Sequence, residues 1–191
     1  MINKIVVVGA GTMGAGIAFA AAQHHFKVLL FDINEKMLPI AKQQVDNNLD
    51  YLLKKEKITE VDAEKISRQI NYISNLQEAK GDIIIEAIVE NLEIKQKLFQ
   101  QLAEINPAET IFASNTSSLS RNELQKNIPH PNRMLGMHFF NSANVMKLVE
   151  VVKGKHTDEN SIQKVLELCK ALGKTAVICT DAPGFIVNRV A

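Results

Sequence analysis

A histidine and a glutamate in the stretch LGMHFFNSANVMKLVEVV (residues 135–152) are side chains that could move a proton. His138 lies at the end of one apolar run, and Glu150 lies in the next. If the polar residues between them form a return between neighbouring strands, the carboxylate comes within hydrogen-bonding distance of the imidazole. Such an imidazole can act as a general base, while the acid fixes its tautomer and stabilises the imidazolium that forms. The alternative is that His138 is an ordinary buried core residue.

The glycines of KIVVVGAGTMGAGIAFAAAQ form the pattern Gly9-x-Gly11-x-x-Gly14 between a strand-like run and an Ala-rich helical run. This context predicts a turn that binds the pyrophosphate of a dinucleotide. Gly9 permits the tight turn, Gly11 lets the backbone approach the phosphates, and Gly14 lets the helix pack against the strand. The N–H groups at the start of the helix, at Thr12 and Met13, then face the anion. The alternative is a glycine-rich turn that serves packing only.

Asp32 ends the next strand-like run, VLLFD. An acid at this distance from the glycines accepts hydrogen bonds from the hydroxyl groups of the adenosine ribose. Its carboxylate repels a 2′-phosphate, and no arginine follows it to compensate, so the sequence favours NAD over NADP. A histidine base beside a bound NAD indicates alcohol oxidation: the hydroxyl proton passes to the imidazole as hydride leaves carbon for the nicotinamide.

Polar residues also follow two further predicted strands. SNTSSLS (114–120) could hydrogen-bond a nicotinamide ribose or a substrate carbonyl, because ligands bind at the carboxyl ends of strands in doubly wound sheets. Alternatively it caps a helix, since Ser120 with Glu123 matches a capping box. Glu90 and Lys95 flank the start of another predicted helix at the same edge of the sheet. Either residue could instead cap or solvate that helix.

The elements that position these residues alternate between short β-rich runs and helical patterns, which is typical of βαβ units. We therefore predict an α/β fold: a Rossmann-type, doubly wound, mostly parallel sheet. One clear helix is LEIKQKLFQQLAEI, and residues 35–69 predict a helical hairpin inserted after the second strand, with Pro39 delaying or bending its start. The predicted strands are Lys4–Val8, Lys27–Phe31, a short one near Ile70–Ile73, Asp82–Glu86, Thr110–Ala113, Arg133–Phe139, Lys147–Val152 and Lys174–Cys179.

Composition narrows the function classes. The 191 residues are 46% hydrophobic, which suits one globular domain and argues against disorder. With 22 basic and 21 acidic residues, the chain has no electrostatic footprint for nucleic acid or a membrane surface. No apolar run is long enough to span a bilayer, and no secretory leader precedes the first strand. We expect Cys169 and Cys179 to be reduced thiols, no metal site, and a cytoplasmic protein.

Five segments in this order give the chain a family resemblance: GAGTMGAGIA, EAIVENLEIKQKLF, IFASNTSSL, HFFNSANVMKLVEVV and DAPGFIVNR. The chain resembles the NAD-binding domain of the L-3-hydroxyacyl-CoA dehydrogenases, and within that family the 3-hydroxybutyryl-CoA enzymes. The resemblance implies NAD-dependent oxidation of the 3-hydroxyl of an acyl-CoA to a ketone, and the reverse reduction. His138 matches the catalytic base and Glu150 its paired acid. Ser117 and Asn141 match residues that bind substrate or nicotinamide beside them.

The resemblance assigns other residues to the ligands. Glu90 and Lys95 match cofactor contacts, and the helical hairpin matches an arm that approaches coenzyme A. Lys55 falls where the family has a lysine that contacts coenzyme A. Asn188, in the PGFIVNR motif, falls at a substrate-binding position near the exit from the domain.

The chain departs from the family pattern at three places. Ser142 and Asn144 stand where the family commonly has prolines, and Asn48 replaces a serine of the arm. The chain ends at Ala191, whereas family members continue into a helical domain that closes the substrate cleft and carries the main dimer interface. We therefore expect an NAD-binding domain over residues 1–186, the start of the second domain at 187–191, and NAD binding with poor or absent turnover.

Two other functions fit part of this pattern. A sugar-acid dehydrogenase of the L-gulonate type shares the spacing of histidine and glutamate, but it gives no role to a lysine-bearing arm. A nucleotide-binding module without catalysis needs the glycine turn, but it does not need a base paired with an acid.

Overall fold

Within residues 2–181, which the computed structural model describes, eight strands and six α-helices follow the predicted alternation. Each predicted strand is present with its ends shifted by no more than one residue. The strands are β1 (Lys4–Val8), β2 (Lys27–Phe31), β3 (Ile70–Ile73), β4 (Ile83–Glu86), β5 (Ile111–Ser114), β6 (Met134–Phe139), β7 (Leu148–Lys153) and β8 (Thr175–Thr180). The helices are α1 (Thr12–Gln23), α2 (Met37–Lys54), α3 (Glu60–Gln69), α4 (Leu92–Ile105), α5 (Arg121–Leu124) and α6 (Glu159–Ala171), with 3₁₀ turns at Leu76–Glu78 and Pro131–Arg133.

All eight strands form one sheet in the order β3-β2-β1-β4-β5-β6-β7-β8. The strands from β3 to β6 in this order are parallel, whereas β7 runs antiparallel to β6 and β8 runs parallel to β7. This confirms the predicted Rossmann-type, mostly parallel sheet. The carboxyl ends of β1 to β6 therefore share one edge with the amino ends of β7 and β8. The connections reverse between β1 and β4, where such sheets form their ligand crevice.

The central strands are continuous apolar runs because helices cover both faces of the sheet. Ile5 to Val8 in β1 are at most 1% exposed. On one face the core includes residues of α1, of α2 and α3 and of α6, and on the other it includes residues of α4. Glu86, at the end of β4, is the exception, since this carboxylate is buried in an apolar strand. Its partners belong to the candidate site.

The inserted hairpin consists of α2, a short turn and α3. The helix α2 begins at Met37, which leaves Pro39 in the first turn, where a missing N–H costs no helical hydrogen bond. Thr59 caps α3: its side chain accepts from the Asp62 N–H, and the Asp62 carboxylate accepts from the Thr59 N–H. Lys55 lies in the turn between the helices and is exposed. The hairpin predicted for residues 35–69 is thus an ordered pair of helices.

Several sequence expectations concern the chain as a whole. Among residues 2–181, none of the helices has both the length and the apolar character needed to cross a bilayer. Cys169 and Cys179 are both buried. The expected domain boundary at residues 186 and 187, and the substrate-binding position Asn188, lie outside the described residues.

Candidate active site

The glycine turn between β1 and α1 has the shape that the pattern predicts. Gly9 has a φ of +104°, which favours glycine, and a Cβ there would lie 2.6 Å from the carbonyl oxygen of Ala87. A Cβ on Gly14 would lie 1.7 Å from the carbonyl oxygen of Gly9, so only glycine lets α1 start this close to the turn. These two glycines therefore fix the geometry of the turn itself.

Gly11 has a different environment from the other two glycines. It is the N-cap of α1 with extended backbone, and as a glycine it offers no side chain to cap the N–H groups of the first turn. A Cβ on Gly11 would meet no atom of residues 2–181 within 4 Å beyond its neighbours in the chain. The first turn, which starts with Thr12 and Met13, contains no acidic residue. Space and unopposed N–H groups at a helix start suit a phosphate group, so these residues fit the pyrophosphate of a dinucleotide.

Asp32 joins the glycine turn to the end of β2. Its Oδ2 accepts from the N–H of Ala10 at 2.8 Å, and its Oδ1 accepts from the N–H of Asn34 at 2.9 Å. Each oxygen keeps a second lone pair for another donor. Asp32 also lines a crevice of about 550 Å³ beside Gly9, as do Ile33, Ile88 and Ile94 among others. Apolar walls with one acid suit an adenosine group, because the carboxylate can accept hydrogen bonds from the ribose hydroxyls.

A buried ion pair lies at the carboxyl end of β4. Glu86 is 0% exposed and Lys95 is 1% exposed, and Lys95 Nζ lies 2.5 Å from Glu86 Oε1. That oxygen also accepts from the Ile88 N–H at 2.7 Å, and Glu86 Oε2 accepts from the Ser114 hydroxyl at 2.6 Å. The carboxylate therefore has partners for both oxygens, which is the condition for tolerating a buried charge. It fixes the loop after β4 relative to the end of β5.

Glu90 extends this network to the loop after β5. Its Oε2 lies 3.2 Å from Lys95 Nζ, and its other oxygen accepts from the hydroxyl groups of Thr116 and Ser118. Burial alone would raise the pKa of Glu90, but the Thr116 hydrogen bond and the positive charge of Lys95 outweigh it and lower the pKa to about 2. Lys95 itself is enclosed by oxygens of Glu86, Glu90 and Ile88. A direct contact between Lys95 and a cofactor therefore stays a prediction.

His138 and Glu150 lie directly opposite each other in the antiparallel pair of β6 and β7. His138 Nδ1 is 2.8 Å from Glu150 Oε2, and the two residues are 6% and 1% exposed. If Nδ1 carries the proton and donates a hydrogen bond to the carboxylate, Nε2 is the basic nitrogen of a neutral imidazole. The ring of Phe140 packs beside the imidazole, with centroids 4.7 Å apart. The structure thus brings the predicted pair together.

The loop after β5 lies between the ion-pair network and the histidine. Asn115 Oδ1 accepts from the N–H of Phe139 at 2.8 Å, next to His138, and the Asn115 N–H donates to the carbonyl of Glu86 at 2.8 Å. Ser117 follows on this loop and is exposed. Ser120 at the loop's end accepts from the N–H groups of α5, so for this serine the capping interpretation is confirmed.

The remaining predicted residues lie at different distances from the pair. Asn141 is exposed and follows His138 by three positions, in the loop that leaves the carboxyl end of β6. Lys55 lies in the turn of the arm and does not line the crevice beside Asp32. Asn141 therefore shares the edge of the sheet with His138, whereas no contact joins Lys55 to the site in the part of the chain that is described.

Three residues of the site were not singled out from the sequence. Glu86 could have been found, because a charged residue inside an otherwise apolar strand needs a buried partner. Asn115 stood within SNTSSLS but was not distinguished from its polar neighbours. Lys174, which contacts the loop of Asn141, gave no signal, since its partners are backbone carbonyls about thirty positions earlier.

Known proteins share this sequence and this fold. The family model described as "3-hydroxyacyl-CoA dehydrogenase, NAD binding domain" matches residues 4–182. The 3-hydroxyadipyl-CoA dehydrogenase of Escherichia coli is 42% identical over 191 residues, which cover 100% of this chain and 40% of that protein. A probable 3-hydroxybutyryl-CoA dehydrogenase of Bacillus subtilis is 42% identical over 190 residues, covering 99% of this chain and 66% of that protein. The chain thus spans less than two thirds of the length of these relatives.

A solved structure extends the similarity to the fold. The (S)-3-hydroxybutyryl-CoA dehydrogenase of Ralstonia eutropha superposes with a TM-score of 0.97 at 39% identity, covering 100% of this chain and 68% of that one. The family resemblance predicted from the motifs is therefore confirmed.

Proposed function

The chain belongs to the family of NAD-binding domains of the 3-hydroxyacyl-CoA dehydrogenases, and on this premise we propose that it interconverts an L-3-hydroxyacyl-CoA and the 3-ketoacyl-CoA. The observation that carries the proposal is the buried contact of 2.8 Å between His138 Nδ1 and Glu150 Oε2 at the carboxyl edge of the sheet. A domain that only bound a nucleotide would need no such pair. NAD, when bound, supplies the hydride acceptor, and NADH the donor.

The residues of the chain then have distinct roles. His138 Nε2 takes the proton of the substrate hydroxyl in the oxidation and returns it in the reduction. Glu150 keeps the ring oriented and stabilises the imidazolium. Ser117 and Asn141, on loops at the same edge, hydrogen-bond the substrate oxygen or the nicotinamide group.

The cofactor is held by the other end of the site. The first turn of α1 binds the pyrophosphate, and Gly11 leaves the space for it. Asp32 accepts hydrogen bonds from the ribose hydroxyls. Because its carboxylate would repel a 2′-phosphate, it favours NAD over NADP. The network of Glu86, Glu90 and Lys95 fixes the loop between this crevice and the histidine.

The substrate and the assembly are also part of the proposal. Names of the relatives include a butyryl and an adipyl substrate, and we propose a short acyl group here. Lys55 in the arm would contact the phosphates of coenzyme A, because its positive charge attracts them. Asn188 would contact the substrate. Residues 1–186 would form the NAD-binding domain, with dimerisation through a second, helical domain. A cytoplasmic location remains an expectation.

The test is a single-turnover reaction with protein and cofactor in equal amounts, with NADH for acetoacetyl-CoA and NAD for L-gulonate. We expect acetoacetyl-CoA to oxidise NADH, slowly if this chain alone leaves the cleft open, and L-gulonate to reduce no NAD. A faster reaction of L-gulonate with NAD would favour the sugar-acid dehydrogenase. Tight NADH binding with no reaction of either substrate would favour a non-catalytic module.

A further inference from the structure

The loop between β6 and β7 carries Asn141 but has little apolar packing of its own. Val145 is 70% exposed and Met146 is 41% exposed. Their N–H groups both donate to the carbonyl of Ser142 at 2.9 Å, which forms a turn. Ala143 is the buried residue of the loop and lies against Gly16 of α1. Burial of one methyl group contributes only about 1 kcal/mol, so other contacts must hold this loop in place.

Lys174, which lies just before β8 at the same edge of the sheet, supplies such a contact. Its Nζ donates to the carbonyl of Ala143 at 2.6 Å and to the carbonyl of Met146 at 2.7 Å. These charge-assisted hydrogen bonds join both ends of the turn, and each is stronger than a bond between neutral groups. The lysine therefore bridges the loop at two points.

The backbone of Lys174 is itself fixed. Its N–H donates to the carbonyl of Cys169 at 2.8 Å, and the N–H of Thr175 donates to the carbonyl of Lys147 at 2.7 Å. Thr175 then pairs with Leu148 at the start of β7 and β8. The ammonium group thus extends from a rigid part of the sheet to a loop that needs support.

On these contacts we propose that Lys174 is a positioning residue for the reaction, holding the Asn141 loop in the conformation that presents Asn141 beside His138. This inference rests on the proposed function for the role of Asn141. The two hydrogen bonds from Lys174 Nζ to the loop, which we call the Lys174 clamp, do not depend on that function. Because Asn141 stands at the reacting end of the cofactor, loss of the clamp slows the chemical step and leaves the binding of the adenosine and pyrophosphate groups unchanged.

The test compares Lys174→Met with Lys174→Arg and with Lys170→Met, which removes an exposed lysine of α6. In Lys174→Met we expect faster hydrogen exchange at the Val145 and Met146 amides. The single-turnover rate with acetoacetyl-CoA should fall roughly tenfold to a hundredfold, the effect of small misplacements at reacting groups. The NADH dissociation constant should stay within about threefold of the wild-type value, a change of about 0.65 kcal/mol, because the contacts of the adenosine and pyrophosphate groups are unchanged. Lys174→Arg should recover part of the rate, and Lys170→Met should behave as wild type.

A double-mutant cycle with Asn141→Ala separates positioning from general stability. If Lys174 acts through Asn141, adding Lys174→Met to Asn141→Ala slows the reaction little further. Unchanged amide exchange, fully additive rate losses, or a parallel loss of NADH binding would each overturn the proposal. If wild type oxidises no NADH, the proposed function fails, and the clamp is judged by the exchange of Val145 and Met146 alone.

Discussion

At the scale of single residues, the site depends on which charges are paired across the sheet. The separation of His138 and Glu150 in the sequence suggested a strand return, and the register of β6 and β7 places the two residues opposite each other. That prediction was possible because side chains in strands alternate between the two faces. Lys95 was less predictable: a lysine in the first turns of an amphipathic helix is usually solvated, yet it is buried here by Glu86.

Glu90 provides a prediction at this scale. Its pKa is lowered from 4.5 to about 2, so its ionised form stabilises the fold at neutral pH. That contribution is complete above about pH 4.5 and is lost as the pH falls towards 2. We expect Glu90→Gln to have a lower free energy of unfolding than wild type at pH 7, by an amount that shrinks between these two pH values. Urea unfolding at several pH values measures this difference.

The control for Glu90 is Glu104→Gln, an exposed acid late in α4. This variant should differ from wild type by only a small amount, because an exposed carboxylate contributes little to stability. A stability difference for Glu90→Gln that stays constant from pH 7 down to 3 would mean that the network does not stabilise the ionised carboxylate.

At the scale of elements, the sequence predicts most of the fold because local patterns decide it. Continuous apolar runs marked the central strands, and α4 covers the segment LEIKQKLFQQLAEI from end to end. The helical face was less predictable. Ile94 is 49% exposed and lines the crevice, whereas the core side of α4 holds Phe99 and Leu102. The apolar spacing could not distinguish a core face from a ligand face.

The glycine turn allows a matched pair of substitutions. In Gly14→Ala the new Cβ would lie 1.7 Å from the Gly9 oxygen, so α1 must shift, and we expect a loss of about 3 kcal/mol of unfolding free energy. In Gly11→Ala the Cβ contacts none of the residues that the structure describes, apart from its chain neighbours, so the loss should stay below about 1 kcal/mol. The same methyl group occupies the space proposed for the pyrophosphate, and NADH affinity should fall roughly tenfold or more, which is about 1.4 kcal/mol.

Urea denaturation and NADH titration of both variants measure these effects. Gly11→Ala that binds NADH as tightly as wild type would show that the pyrophosphate does not approach this position. Wild-type stability of Gly14→Ala would show that the turn is less tightly packed than described.

At the scale of the whole molecule, binding a cofactor should stabilise the fold. A ligand at 100 times its dissociation constant adds about 2.7 kcal/mol. For a chain of this size, 1 kcal/mol corresponds to about 2–4 °C in the melting temperature. We therefore expect such an excess of NADH to raise the melting temperature by about 5–10 °C. NADPH at the same concentration should raise it much less, because Asp32 repels the 2′-phosphate. Equal stabilisation by both would contradict the role given to Asp32.

The long-range contacts are what the sequence could not predict at this scale. Lys174 and Ala143 are brought together only when β8 adds to the sheet beside β7, in the direction opposite to the central strands. A lysine just before a strand gives no signal of its partner, since any carbonyl can accept its hydrogen bond. The residues proposed to carry the chemistry could therefore be singled out from the sequence, while several that hold them in place could not.

The most direct test of the proposed chemistry is the single-turnover oxidation of NADH by acetoacetyl-CoA in wild type, His138→Ala and the control His156→Ala, an exposed histidine after β7. The NADH dissociation constant of each protein is measured alongside. Loss of a general base predicts that His138→Ala is slower than wild type by about 10²–10⁴-fold, with NADH affinity unchanged and His156→Ala like wild type. NADH oxidation by His138→Ala at the wild-type rate would contradict the assignment of His138 as the base.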